Sequence, residues 1–272
     1  MPLKSRPGHA ARALLALLLI APLSAVLPRC HAQQVQPVIM EYRNKAEGKF
    51  TLMNNTLEPM VVVLEPKSFS ISPDGQGTFR SLDPTIHVQL STTSVKLQPL
   101  QSYTIFYKAD AESFPAWFTI YSTFSALRST ATLSVRIQLP HTVYLYQNKP
   151  IDEEDVHVLH AEYLPSSHKL VCEILNVGKS LTRVQEVRTT GVHTEPVTLA
   201  GFPLLPGSLR RVEVDWKGKE PPNSVNVVFD RFTLKPPVVV AAESSPPLPA
   251  AKEPPAVAES SGATPPLPTG RK

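Results

Sequence analysis

The 272 residues carry 27 lysines and arginines against 23 aspartates and glutamates. Four of those basic residues (Lys4, Arg6, Arg12, Arg29) and none of the acidic ones fall in the first 32 positions, so the rest of the chain balances at 23 of each. A balanced body excludes a basic patch built for nucleic acid or a membrane surface as its organising feature.

The basic start is followed by an apolar run from Ala13 to Leu27, broken by Pro22 and Ser24. Cys30 and Ala32 place small residues where a signal peptidase reads, with Gln33 next. Residues 1–32 are therefore expected to be a cleaved secretory leader, too short and too poorly flanked to span a membrane. Cleavage leaves Cys172 as the sole cysteine, so an exported product has no internal disulfide. Cys172 alternates in phase with Leu170 and Ile174, which places it in a core.

Residues 33–149 read as strands throughout. Pro37 to Tyr42, Lys49 to Asn54 and Met60 to Glu65 are short and apolar, the last two separated by the turn-rich Asn54-Asn55-Thr56-Leu57-Glu58-Pro59. Ser68 to Phe79 turns at Pro73-Asp74-Gly75. Val95 to Lys108 and Pro115 to Phe124 follow, the second dense in aromatic and β-branched residues. Short strands with turns every ten residues or so indicate an immunoglobulin-like sandwich.

The last strand of this region carries the strongest pattern. Leu133, Val135, Ile137 and Leu139 alternate with Ser134, Arg136 and Gln138, placing one apolar row on one face. Pro140 follows and cannot donate to a ladder, so the strand is expected at a sheet edge or interrupted there. An apolar row on an edge invites pairing with another chain.

Residues 150–236 read as a second, smaller β-domain, with strands at Val156 to Tyr163, Lys169 to Asn176, Thr182 to Thr189, Pro196 to Ala200, Ser208 to Trp216 and Val225 to Leu234. The joint at Asn148-Lys149-Pro150 is too short to let the domains roam, so a bent, fairly rigid pair with a cleft is expected. Trp117 and Trp216 are assigned as core anchors of the two sandwiches. Residues 237–272 repeat Pro-Pro pairs among Ala, Glu and Ser; a segment of that composition buries too little to offset its chain entropy and is expected to be disordered.

Catalytic constellations do not emerge: there is no Gly-rich phosphate loop, metalloprotease helix or nucleophile elbow. His157 and His160, three apart on a strand, fall on opposite faces and cannot chelate one ion. Asp152-Glu153-Glu154-Asp155 reads as a solvated turn. Asn54 heads an Asn-x-Thr acceptor sequence. No enzyme activity, cofactor or metal is expected.

Taken together, these segments resemble the PapD-like periplasmic chaperones of pilus assembly. The resemblance is carried by Gly48 to Asn55, Val95 to Leu100 (a Leu-x-Pro-Gly-like segment with Leu100 in the glycine's place), Trp117 to Ile120, Leu133 to Pro150, and Leu204 to Ser208. It covers roughly residues 35–235 and implies a non-catalytic periplasmic chaperone. Such a chaperone holds exported, β-rich pilus-type subunits by lending them an edge strand, and the resemblance extends its partners to an outer-membrane usher. On this chain the lent side chains would be Leu133, Val135, Ile137 and Leu139, with Arg136 beside them. The family grips a client carboxylate with a basic pair in its cleft. Here those positions fall near Met40 and Tyr144, neither basic, leaving Arg43 and Lys149 as candidates. The alternative is a non-catalytic structural or interaction protein of the cell envelope.

Overall fold

A computed structural model describes residues 32–127 and 136–241. The expected leader through His31, Leu133 and Val135 of the apolar row, and residues 242–272 of the proline-rich segment lie outside the described residues. What is described is all-β and forms two sandwiches, each with its own core.

In the first sandwich one sheet runs β1 (Gln34–Gln36), β3 (Ala46–Met53), β8 (Ser102–Ala111), β6 (Ile86–Leu90). The facing sheet runs β2 (Ile39–Arg43), β10 (Arg136–Tyr146), β9 (Ala116–Ala126), β4 (Met60–Ile71), β5 (Gly77–Ser81), with β7 (Ser94–Leu97) also on β4. Inward alternation buries Phe50, Leu52, Val62, Ile105, Phe118, Ile120, Phe124, Val143 and Leu145 between them. The first strand is split: β1 pairs with β3, and after Pro37 the chain crosses to pair with β10 in parallel.

The second sandwich faces β15 (Leu209–Asp215), β12 (Lys169–Asn176), β11 (Val156–Leu164) and β18 (Val239–Val240) against β14 (Thr194–Leu204), β13 (Thr182–Gly191), β16 (Ser224–Val228) and β17 (Thr233–Leu234). Cys172 is buried in its core beside Leu170 and Ile174, and burial pushes its thiol up to about 12. The ordered chain runs past Pro236: Val239–Val240 pair with Glu162 and Tyr163, and Ala241 donates its N–H to the Tyr163 carbonyl at 2.9 Å.

Several expectations are corrected. Met60–Ile71 is one strand through Pro66, where the sequence suggested two. Leu64 donates away from β9, to Thr93 O at 2.9 Å, so Pro66, two residues on, turns its missing donor to the same flank. Beyond that Leu64 bond, and before the residues paired with β5 begin at Lys67, no strand among the described residues pairs with Glu65 or Pro66 on that flank. Trp117 is not a core anchor: it is half-buried on the outer face of β9 and donates Nε1–H to Phe69 O at 2.8 Å. Trp216 does anchor the second core. The β11–β12 register skips Leu159, so His157 faces Leu175 and His160 faces Glu173. A bulge of one residue thus returns both histidines to the same face, against the simple parity argument.

Both sandwiches build the same turn. Asn54 is buried; its Nδ2 donates to Glu58 O (2.8 Å) and Gln98 O (3.0 Å), and its Oδ1 accepts from the Thr56 N–H (3.1 Å). Asn176 repeats this with Ser180 O (2.8 Å), Leu204 O (3.3 Å) and the Gly178 N–H (3.0 Å). Against each packs a Leu-x-Pro turn whose next residue has positive φ: Leu100 at 58° and Gly207 at 65°. The burial of Asn54 also removes it as a glycan acceptor.

Candidate functional site

The candidate site is the first half of β10 and the joint that its second half enters. Along β9, β10 is paired from Arg136↔Ser125 to Leu145↔Ala116. On its other flank β2 pairs only with Thr142–Tyr146. Among the described residues, Arg136 to His141 therefore have one bonded flank and one open flank.

Strand parity fixes what the open flank presents. Thr142 donates its N–H away from β9, to Val38 O at 2.7 Å, and Tyr146 O accepts from the Asn44 N–H at 3.1 Å on that same side. Even-numbered residues thus direct their backbone polar groups away from β9. Among the described residues, Arg136 and Gln138 each show an unpaired N–H and C=O to the open flank, and Pro140 shows a C=O. Pro140 sits where its lack of a donor costs the β9 ladder nothing, and the strand runs through it uninterrupted.

Odd-numbered side chains face the core. Ile137 and Leu139 are half-buried, packed against the first hydrophobic core without being sealed in it. Arg136 and Gln138 are exposed on the outer face, where the Gln138 amide donates to Thr123 Oγ1 at 3.2 Å. Two strands of the second sandwich are protected against such pairing. β14 carries Pro196 and Pro203, and β11 has its bulge and is covered by β18. The open half of β10 carries Pro140 but, among the described residues, has no bulge against β9 and no covering strand.

The second half of β10 leads into the joint. Phe69 and Tyr144 of the first sandwich are buried with Leu181 and Leu205 of the second. Gln147 closes a two-way bond with Leu181, donating to its carbonyl and accepting its N–H, both at 3.1 Å. Arg183 of β13 donates to Glu41 of β2 at 2.6 Å and stands 5.8 Å over the Tyr144 ring. Burial opposes the Arg183 charge, but Glu41 holds its pKa above the ordinary value; burial pushes the Tyr144 hydroxyl up to about 12. A third contact comes from the Pro73-Asp74-Gly75 turn: Pro73 O accepts the Arg211 N–H at 2.9 Å, and Ser72 O accepts from Arg210 Nη1 at 3.3 Å.

Beside these contacts lies a cavity of about 370 Å³ whose charged lining is Glu41, Arg43, Arg183, Asp230 and Arg231. Arg43 reaches it. Lys149 does not line it and is paired with Asp152 at 2.7 Å. Met40 and Tyr144 lie on β2 and β10 opposite Val143 and Glu41. Sequence reasoning missed Arg183 and Arg231. Both come from the second domain, and no local pattern announces a side chain delivered across a joint.

No protein-family model matches the chain, and no curated protein matches it in sequence. Solved structures do. It is similar to the class 5 fimbriae chaperone CfaA, at 13% identity and a TM-score of 0.47, over 76% of this chain and 99% of that one. It is similar to the YadV chaperone at 10% identity and a TM-score of 0.46, over 72% and 91%. It is also similar to the Escherichia coli chaperone DraB at 13% identity and a TM-score of 0.43, over 77% and 100%.

Proposed function

We propose that this protein is an exported, non-catalytic chaperone that holds β-rich pilus-type subunits by adding a client strand to the open edge of β10. The observation that carries this reading is the half-paired strand: Arg136 to His141 have β9 on one flank and, among the described residues, nothing paired on the other. A visiting strand would find two N–H donors, three C=O acceptors and the half-covered Ile137 and Leu139 side chains, which is the chemistry of strand addition. Each new backbone bond contributes about 1 kcal/mol net, and completing the burial of each side chain about the same. With all five bonds made the sum is about 7 kcal/mol before association costs, to which Leu133 and Val135 would add.

Within this reading Arg43, facing the cavity at the joint, is the contact for a client carboxylate. Lys149 is a weaker candidate, its charge already matched by Asp152. The place of action is the periplasm, and an outer-membrane usher would receive the client.

The test is co-expression of the mature chain with a pilus-type subunit. The wild type should co-purify with it, and Ile137→Asp should lose the subunit while both sandwiches still melt cooperatively. Purification of the wild type alone, or collapse of the first domain in the variant, would favour the envelope structural protein instead.

A further inference from the structure

The open edge of β10 ends at one residue. His141 is fully buried, and the next residue, Thr142, already belongs to β2 through its bond to Val38. The His141 ring touches three other segments. Its Nδ1 lies 2.7 Å from the carbonyl oxygen of Pro37, in the link between β1 and β2. Its Nε2 lies 3.1 Å from the Tyr107 hydroxyl on β8, which in turn lies 3.0 Å from the Tyr42 hydroxyl on β2. Phe50 of β3 stacks on the ring with centroids 4.4 Å apart.

These partners determine the proton positions. A carbonyl oxygen only accepts, so Nδ1 carries the hydrogen. Nε2 then accepts from Tyr107, and Tyr107 accepts from Tyr42. Gly48 makes room for the two hydroxyls: a Cβ there would collide with both.

Apart from His141, the link is held to β10 by the Thr142 N–H bond to Val38 O at 2.7 Å. β1 leaves the first sheet at Gln36, paired with Thr51, and β2 begins at Ile39, paired with Thr142. Val38 and Ile39 are 51% and 45% exposed, so burial of their side chains does not pin the crossing. The parallel register of β2 on β10, continued backwards, would lay Pro37 on Pro140 and Gln36 on Leu139. β1 is therefore a built-in competitor for the same edge.

We propose that His141 is a positioning residue for strand capture: by clasping the Pro37 carbonyl it stops β2 at Thr142 and keeps β1 off the edge that a client must occupy. The functional half of this inference rests on the reading above. The structural half, where β2 stops, does not.

Three measurements on the mature full-length chain test it. Ring-nitrogen NMR of the wild type should find the His141 proton on Nδ1; a proton on Nε2 instead would overturn the proposal. Amide exchange should show Thr142 opening about tenfold faster in His141→Phe, which keeps the stack and loses both bonds, while Cys172 and Ile174 of the second domain are unchanged. A synthetic extended peptide of alternating valine and threonine should bind that variant about tenfold more weakly than the wild type. His141→Asn, whose amide N–H can stand in for Nδ1, should recover both readouts, and Tyr107→Phe should leave Thr142 protected. Unchanged Thr142 exchange in His141→Phe, or equal loss in the Phe and Asn variants, refutes the clasp. A wild type that ignores the peptide while Thr142 still responds refutes strand capture and leaves the clasp standing. Should His141→Phe not fold, the tautomer and the Asn variant decide.

Discussion

Gln138→Pro separates the two flanks of β10 in one substitution. The Gln138 N–H points away from β9, as Pro140 two residues on tolerates by construction. Replacing it removes no ladder bond, only an exposed side-chain contact to Thr123. The fold should therefore lose less than about 1 kcal/mol, the range of ordinary surface changes. Leu139→Pro is the control. Its N–H faces β9 opposite the buried Ser122, so it breaks a ladder bond and removes a half-buried side chain packed on the core, for about 3 kcal/mol or more. Capture should respond in the opposite sense to stability. Gln138→Pro deletes one of the two donors on the open flank and leaves a client carbonyl without its partner, a loss of about 1–3 kcal/mol, or roughly 5- to 150-fold in affinity. Urea unfolding of the first domain gives the stability, and titration with a pilus-type subunit gives the affinity. A Gln138→Pro protein destabilised as much as Leu139→Pro would refute the parity assignment. One that is stable and binds its client undiminished would refute use of this edge.

Leu100 holds a left-handed backbone at φ 58° with its side chain 65% exposed, so Leu100→Gly should stabilise the first domain by roughly 0.5–1 kcal/mol after the unfolded-chain entropy of glycine is subtracted. Gly207→Leu, with open space around its Cβ position, should cost the second domain roughly 0.5–1 kcal/mol by the same subtraction, read from the same urea curves. Cys172 should resist a thiol reagent at pH 8 in the native protein and react once urea unfolds the second domain, because burial holds its pKa near 12. Burial lowers the His141 pKa below the usual 6.5, so the unfolded chain takes up a proton that the native one refuses. The stability contributed by the neutral ring is complete above about pH 6.5 and is lost as pH falls through the folded pKa. The melting temperature of the wild type should decline across that window, and that of His141→Phe should decline less.

Much of this was legible from local pattern. The period of two from Leu133 to Leu139 gave the apolar row, of which Ile137 and Leu139 lie among the described residues, and Pro140 suggested an edge or an interruption, of which the uninterrupted strand shows only the edge. The Asn54 and Leu204-Leu205-Pro206-Gly207 segments announced turns that the structure builds from the same bonds. What escaped were features set by neighbours. Pro66 reads as a break, yet it lies mid-strand because the flank it faces is empty. His157 and His160 read as opposed until the Leu159 bulge, dictated by pairing with β12, turns one of them over. The grip of Arg183 on Glu41 joins residues 142 apart in the chain, beyond any window of local periodicity.

A strand bonded along one side for its whole length is already ordered before anything docks on the other. Residues 136–141 forfeit little backbone freedom on binding, because β9 has fixed their φ and ψ beforehand. In strand capture the entropic cost of ordering then falls on the incoming segment alone, and such preorganisation raises affinity without adding a single contact.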